Sequence, residues 1–226
     1  CNINYIIKSM KIFLDSTNIE EIREINKLGI IDGITTNPSL IAKSGKGFNQ
    51  ILKSICKEVK GPISAEVTAE NFENMLSEAK ILSKISKNIV IKLPLTFNGL
   101  KACKHLTKKN YKTNVTLCFT VPQAILAAKA GATYISPFIG RLDDIGQNGV
   151  NLIRDIKKVF SNYTNFKTKI LAASVRSIEH VTEVAKAGAD ISTIPPKIFH
   201  QLYKHELTDK GLKIFLEDWE KSKQKI

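Results

Sequence analysis

Long hydrophobic runs are missing from this sequence: nowhere in its 226 residues does an apolar stretch approach the roughly 18 needed to cross a bilayer, which excludes a transmembrane helix. The first residues also lack the long apolar centre and small-residue cleavage site of a secretory signal. They are expected to be an extension, residues 1–9, ahead of one domain spanning 10–226. Cysteine is sparse, and Cys1, Cys56, Cys103 and Cys118 have no close spacing. That pattern points to reduced thiols in a cytosol-like, cytoplasmic setting and away from structural zinc. The histidines (His105, His180, His200 and His205) form neither an HExxH motif nor a Cys/His set, so no metal is expected and all four read as surface or packing residues. No linker rich in proline, glycine or serine divides the chain.

Acid is in short supply relative to base. Thirty-four Lys and Arg against 21 Asp and Glu give a net charge of +13, so an anionic partner must be weighed. The longest basic runs, however, are pairs such as Lys108-Lys109 and Lys157-Lys158, and aromatics do not interleave with them as base stacking requires. A general field that attracts small phosphorylated metabolites fits better than a nucleic-acid-binding barrel, the alternative of another class, and a lysine-rich bias without functional meaning stands beside both.

What is present is a repeated unit: a short β-rich run, a polar loop, then an amphipathic helix. Strand candidates are 11–15, 31–35, 62–67, 88–93, 112–118, 133–137, 168–173 and 190–194. Helical patterns with spacings of three and four lie between them, such as Phe72, Met75, Leu76, Ala79, Leu82 and Ile85. Eight alternations in about 200 residues predict an α/β fold, a closed (β/α)₈ barrel of parallel strands. An internal echo supports it: 126–137 resembles 183–195, each a helix ending at glycine (Gly131, Gly188) with a strand following at once. Asn18 and Ser177 are placed to cap helices. Beyond the eighth strand a short helix over 197–203 and an extra one over about 208–221, capped by Thr208, are expected. Leu212, Phe215, Leu216 and Trp219 make one apolar stripe on the latter, for its own barrel or for a neighbouring subunit.

In a parallel barrel the carboxyl ends of the strands build the active site. Here they carry Asp15, Thr35-Thr36-Asn37-Pro38, Glu66, Lys92, Asn114 with Thr116, Ser136 with Phe138, and Ser174-Val175-Arg176, with Arg141 just after the sixth strand. Lys92 is the most pointed of these. It follows Ile89-Val90-Ile91 and precedes Pro94, expected to stop the pairing, so the ammonium is drawn into a buried strand. Dehydration in such a setting favours the neutral amine, a nucleophile. A strand-end lysine more often keeps its head in water, and each other residue alone has a turn or capping explanation. Their placement at one rim of one barrel is what those explanations leave out.

The runs Gly33-Ile34-Thr35-Thr36-Asn37-Pro38-Ser39-Leu40, Lys92-Leu93-Pro94, Thr113-Asn114-Val115-Thr116-Leu117 and Ser136-Pro137-Phe138-Ile139-Gly140-Arg141-Leu142-Asp143-Asp144 resemble those of transaldolases, specifically the small single-barrel subfamily. The resemblance extends from Met10 to Trp219. It implies Schiff-base transfer of a dihydroxyacetone unit between sugar phosphates without cofactor or metal. By that resemblance Lys92 is the nucleophile, Asp15 the base at the C4 hydroxyl, and Glu66 with Thr116 the proton shuttle. Thr36, Asn37, Asn114, Ser136 and Phe138 line the substrate, and Arg141, Ser174 and Arg176 clamp its phosphate. It also implies a homo-oligomer, a pentamer or decamer. Fructose-6-phosphate aldolase is the nearest alternative, but it resembles a pattern with glutamine at Glu66 and tyrosine at Phe138. A metal-dependent aldolase is disfavoured because no histidine cluster is available to bind zinc, and a catalytically dead barrel is a further alternative.

Overall fold

A computed structural model of the chain describes residues 9–43, 45 and 47–225. The expected extension at 1–9 therefore lies, except for Ser9, outside the described residues. From Lys11 onward strand and helix alternate: β1 (Lys11–Asp15), α1 (Ile19–Asn26), β2 (Gly33–Thr35), α2 (Pro38–Lys43), α3 (Phe48–Glu58), β3 (Ile63–Glu66), α4 (Phe72–Ser83), β4 (Ile89–Pro94), α5 (Phe97–Lys108) and β5 (Thr113–Cys118). There follow α6 (Val121–Ala130), β6 (Tyr134–Pro137), α7 (Ile139–Asp143), α8 (Gly149–Ser161), β7 (Lys169–Ala172), α9 (Ile178–Lys186), β8 (Ile191–Ile194), α10 (Pro196–Phe199) and α11 (Glu206–Ser222). The strands pair in parallel in chain order and β8 closes on β1.

Two apolar layers hold this arrangement. Outward-facing strand residues such as Leu14, Ile34, Ile63, Ile91, Val115 and Ile135 bury themselves against the helix ring. Phe13, Val90, Tyr134, Leu171, Ala173 and Ile191 fill the barrel interior, the alternation that a pleated strand with two buried faces requires. Phe13 needs room at its neighbour. A Cβ on Gly33, its partner across β1 and β2, would lie 2.7 Å from the Phe13 ring and 2.6 Å from the Pro62 carbonyl oxygen. Only glycine leaves that space.

Helix ends follow local chemistry. Asn18 accepts from the N–H groups of Glu20 and Glu21, and Ser177 from that of His180, as their side chains predict. Gly131 and Gly188 take positive φ angles of 89° and 83° at the two echoing helix ends. Three expectations need correction. Pro94 does not stop the pairing but is the last residue of β4, opposite Thr116, where its missing N–H is harmless because Leu95 takes up the bond to the Thr116 carbonyl. The helix expected over 197–203 is a single turn at Pro196–Phe199. The final helix begins two residues before Thr208, because the His205 side chain accepts the N–H of Leu207 and caps it earlier.

That final helix buries no residue: Leu207, Leu212, Phe215, Leu216 and Trp219 are all exposed, Phe215 by 74%. Its apolar stripe does not pack on its own barrel. Among the described residues no helix is long and apolar enough to cross a membrane.

Gly33→Ala should destabilise the fold by about 1–3 kcal/mol through overpacking against Phe13. Urea denaturation checks this, with a lower midpoint at unchanged slope as the expected result.

Candidate active site

Lys92 enters the barrel because β4 alternates: Val90 and Lys92 face inward, Ile89, Ile91 and Leu93 outward. The side chain is only 5% exposed, and its Nζ lies 2.9 Å from Glu66 Oε2 and donates to the Thr36 carbonyl oxygen at 3.0 Å. Glu66 is Lys92's direct partner in the β3–β4 register, so the ion pair follows from strand pairing rather than from loop conformation.

Asp15 reaches the same interior from the end of β1. Its Oδ1 accepts from the Thr35 hydroxyl at 2.8 Å, and Thr35 lies 2.6 Å from the Thr193 hydroxyl on β8. Since the Thr35 proton goes to Asp15, Thr193 donates to Thr35, and a two-hydroxyl relay holds the carboxylate. Burial raises the Asp15 pKa above the ordinary aspartate value; the Thr35 hydrogen bond and the Lys92 charge pull it back, and Glu66 adds to the rise. Asn114 is fully buried, donating to Ser64 Oγ at 3.1 Å and accepting from Ser136 Oγ at 2.7 Å. Thr116 is equally buried, and its hydroxyl has no hydrogen-bond partner among the described residues, a costly state for a polar group without a purpose.

A cavity of about 250 Å³ opens above these groups, lined by Asp15, Thr35, Asn37, Lys92, Ser136, Phe138, Arg141, Leu171, Ala173, Ser174, Arg176 and Thr193. The expected residues Asp15, Asn37, Lys92, Ser136, Phe138, Arg141, Ser174 and Arg176 thus share one chamber. Thr36, Glu66, Asn114 and Thr116 do not line it. The Thr36 side chain turns away to donate to the Ser64 carbonyl, leaving its own carbonyl for Lys92, and Glu66 opens onto a neighbouring cavity.

At the rim, Ser174 adopts a positive φ of 60°, and a Cβ on Gly140 would lie 2.3 Å from its carbonyl oxygen. This close contact sets α7 against the loop after β7. Arg141 stacks over the Phe138 ring at 5.4 Å. The Arg176 guanidinium is gripped by both carboxylate oxygens of Asp144, which lowers the Asp144 pKa.

Sequence reasoning missed His180, taken for a packing residue. Its Nδ1 accepts the Arg176 backbone N–H at 3.2 Å and its Nε2 lies 3.0 Å from Asp143 Oδ2, while Asp143 Oδ1 accepts from the Gly149 N–H at 2.9 Å. That chain holds the arginine loop to the start of α8. The neighbourhood of the Asp143-Asp144 pair was legible; that a histidine 37 positions on would meet it was not.

Fold and site together define a (β/α)₈ barrel with an interior lysine–carboxylate pair under a basic rim. A family model described as transaldolase/fructose-6-phosphate aldolase matches residues 12–226, and the chain belongs to that family. It is 59% identical over 217 residues to a protein of Bartonella tribocorum named "Probable transaldolase", covering 96% of this chain and all of that one. Proteins of the same name from Brucella ovis and Rhizobium meliloti are each 58% identical, with the same coverage. Among solved structures, thiamine phosphate pyrophosphorylase from Pyrococcus furiosus superposes with a TM-score of 0.59 over 86% of this chain and 94% of its own, at 15% identity. That likeness concerns the fold alone.

Because the folded state holds the Asp15 proton more tightly than an unfolded aspartate, this group's stabilising contribution is full below the unfolded pKa and lost as pH rises through the folded one. Asp15→Asn should therefore be more stable than the parent chain near pH 7. The difference should vanish below about pH 4, where an ordinary aspartate is protonated; thermal melts at both pH values check it.

Proposed function

We propose that this chain is a transaldolase working through a Schiff base on Lys92, with one barrel domain, residues 10–226, carrying the activity. The observation that carries the reading is the pairing of a nearly inaccessible amine with Glu66 at 2.9 Å beneath a chamber that also holds Asp15 and two arginines. The name shared by relatives at 58–59% identity supports it.

Each step finds a group in position. Glu66 takes the ammonium proton across the short contact, freeing the amine to attack the ketone of sedoheptulose 7-phosphate or fructose 6-phosphate. Loss of water gives an iminium conjugated to the C3–C4 bond. Asp15, ionised and steered by Thr35, removes the C4 hydroxyl proton; the C3–C4 electrons move to the iminium and the aldose phosphate departs. The bound dihydroxyacetone unit then adds to glyceraldehyde 3-phosphate or erythrose 4-phosphate by the reverse sequence. The partnerless Thr116 hydroxyl is suited to hold, with Glu66, the water that forms and hydrolyses the imine. Ser136 and Asn37 face the sugar, with Asn114 supporting Ser136 from below. Thr36 acts through its carbonyl on Lys92. Arg141, Ser174 and Arg176 receive the phosphate, Asp144 yielding the guanidinium to it.

Glutamate at position 66 and phenylalanine at 138 favour transfer over release of free dihydroxyacetone, the activity of the aldolase branch. The +13 charge steers small phosphates rather than nucleic acid to this mouth. The partner of α11 is a second copy of the chain: its exposed stripe of Leu212, Phe215, Leu216 and Trp219 supports a homo-oligomer, and the soluble, cofactor-free chemistry fits a cytoplasmic enzyme.

Borohydride reduction with fructose 6-phosphate should fix an adduct on Lys92, located by peptide mapping; an unlabelled Lys92 refutes the mechanism. Adding erythrose 4-phosphate should raise fructose 6-phosphate turnover by about a hundredfold or more over the acceptor-free rate, whereas rapid dihydroxyacetone release without acceptor selects the aldolase. Phe215→Asp with Leu212→Asp should reduce the particle to a monomer by light scattering, with the barrel's circular dichroism retained; a parent chain already monomeric overturns the oligomer.

A further inference from the structure

Lys92 and Glu66 stand between two cavities. Lys92 lines the 250 Å³ chamber that faces the barrel mouth. Glu66, 2.9 Å from it, lines a second cavity of about 390 Å³ whose other walls are Phe48, Asn49, Thr68, Glu78, Ile81 and Leu82, between α3 and α4. Each member of the ion pair thus lines one of the two cavities. Ile81 and Asn49 are exposed, so the second cavity communicates with solvent, and hydrogen bonds fix one of its walls. Glu78 accepts the N–H of Thr68 at 2.7 Å, that of Ala69 at 3.2 Å and the Thr68 hydroxyl at 3.2 Å, fixing the loop after β3 to α4.

The chemistry proposed above makes a demand on this ion pair. Forming the iminium expels the ketone oxygen as water, and hydrolysing it requires a water at the same carbon. Both occur while a sugar, its phosphate at Arg141 and Arg176, covers Lys92 from the mouth. We infer that the cavity between α3 and α4 is the water and proton conduit of Glu66, a back entrance through which the imine water leaves and returns while substrate occupies the front. The inference rests on the Schiff-base reading of Lys92. The balance is simple: ketone plus amine plus the one proton that Glu66 took from Lys92 and returns gives iminium plus water, and the expelled oxygen exits past Ile81 and Asn49.

Isotope exchange reads this directly. A ketose phosphate labelled with ¹⁸O at its carbonyl, incubated with enzyme in ordinary water without acceptor, loses label only when the expelled water escapes before it re-adds. With the conduit plugged, the same water returns and label is retained. Asn49→Trp and Ile81→Trp, at exposed positions outside the catalytic set, should each slow label loss by about tenfold, with donor KM within about twofold and Lys92 still trapped by borohydride. As a guard against misfolding, Asn49→Cys in a Cys56→Ser background, folded first and then capped with benzyl methanethiosulfonate, should show the same retention; the background protein given the same reagent should not. Label loss unchanged in the tryptophan variants and in the capped protein overturns the conduit while leaving the Schiff base standing. Absence of enzyme-dependent label loss in the parent chain overturns the conduit where borohydride still traps Lys92, and refutes the Schiff base, and the conduit with it, where Lys92 is not trapped.

Discussion

Everything about this molecule's chemistry depends on a cation being tolerable inside a closed barrel. Removing an ammonium from water costs several kcal/mol, and the cost is met only by a partner of excellent geometry. Glu66 is that partner because the β3–β4 register sets it opposite Lys92. A slip of one residue would turn the lysine outward into the apolar helix layer. Register is therefore fixed firmly at the start of the strand, where the Asn88 side-chain amide donates to the Val59 and Gly61 carbonyls at 3.0 and 2.9 Å and the Asn88 backbone carbonyl accepts from the Ile63 N–H. The inner apolar layer below and the ion pair above enforce one alignment from two directions.

Much of this was legible in one dimension. Strand–helix alternation announces the barrel, and the carboxyl-end rule gathers Asp15, Glu66, Lys92 and Arg176 from sequence. The rest required lateral neighbours. Thr193 reaches Thr35 from 158 positions away because β8 closes on β1, and no local pattern reveals which hydroxyl will lie beside which. Ser64 reads as one more strand residue until Asn114 is seen resting on it. Thr36 was expected among the residues lining the substrate but offers Lys92 its backbone carbonyl, a group every residue possesses and sequence cannot single out. His180 went unnoticed for the same reason: its partners come from a helix and a loop that meet only after folding.

The rim is organised on a different principle from the interior. Inside, groups are held by strand pairing and buried. At the rim, Arg176 is exposed and already held by Asp144, so the phosphate proposed to bind there would have to displace a carboxylate. Such an arrangement keeps the guanidinium oriented while lowering the gain from anion binding. Asp143 and His180 serve the backbone of the same loop, so adjacent aspartates secure one arginine by its head and by its main chain.

The plug formed by Phe13, Val90, Tyr134, Leu171 and Ile191 has a kinetic consequence. It closes the barrel beneath Lys92, and a 250 Å³ chamber is small for two sugar phosphates at once. On the Schiff-base proposal, donor and acceptor therefore take turns: the first aldose departs while its former partner stays bonded to the protein, which makes turnover ping-pong, and a high concentration of either sugar phosphate obstructs the half-reaction that belongs to the other.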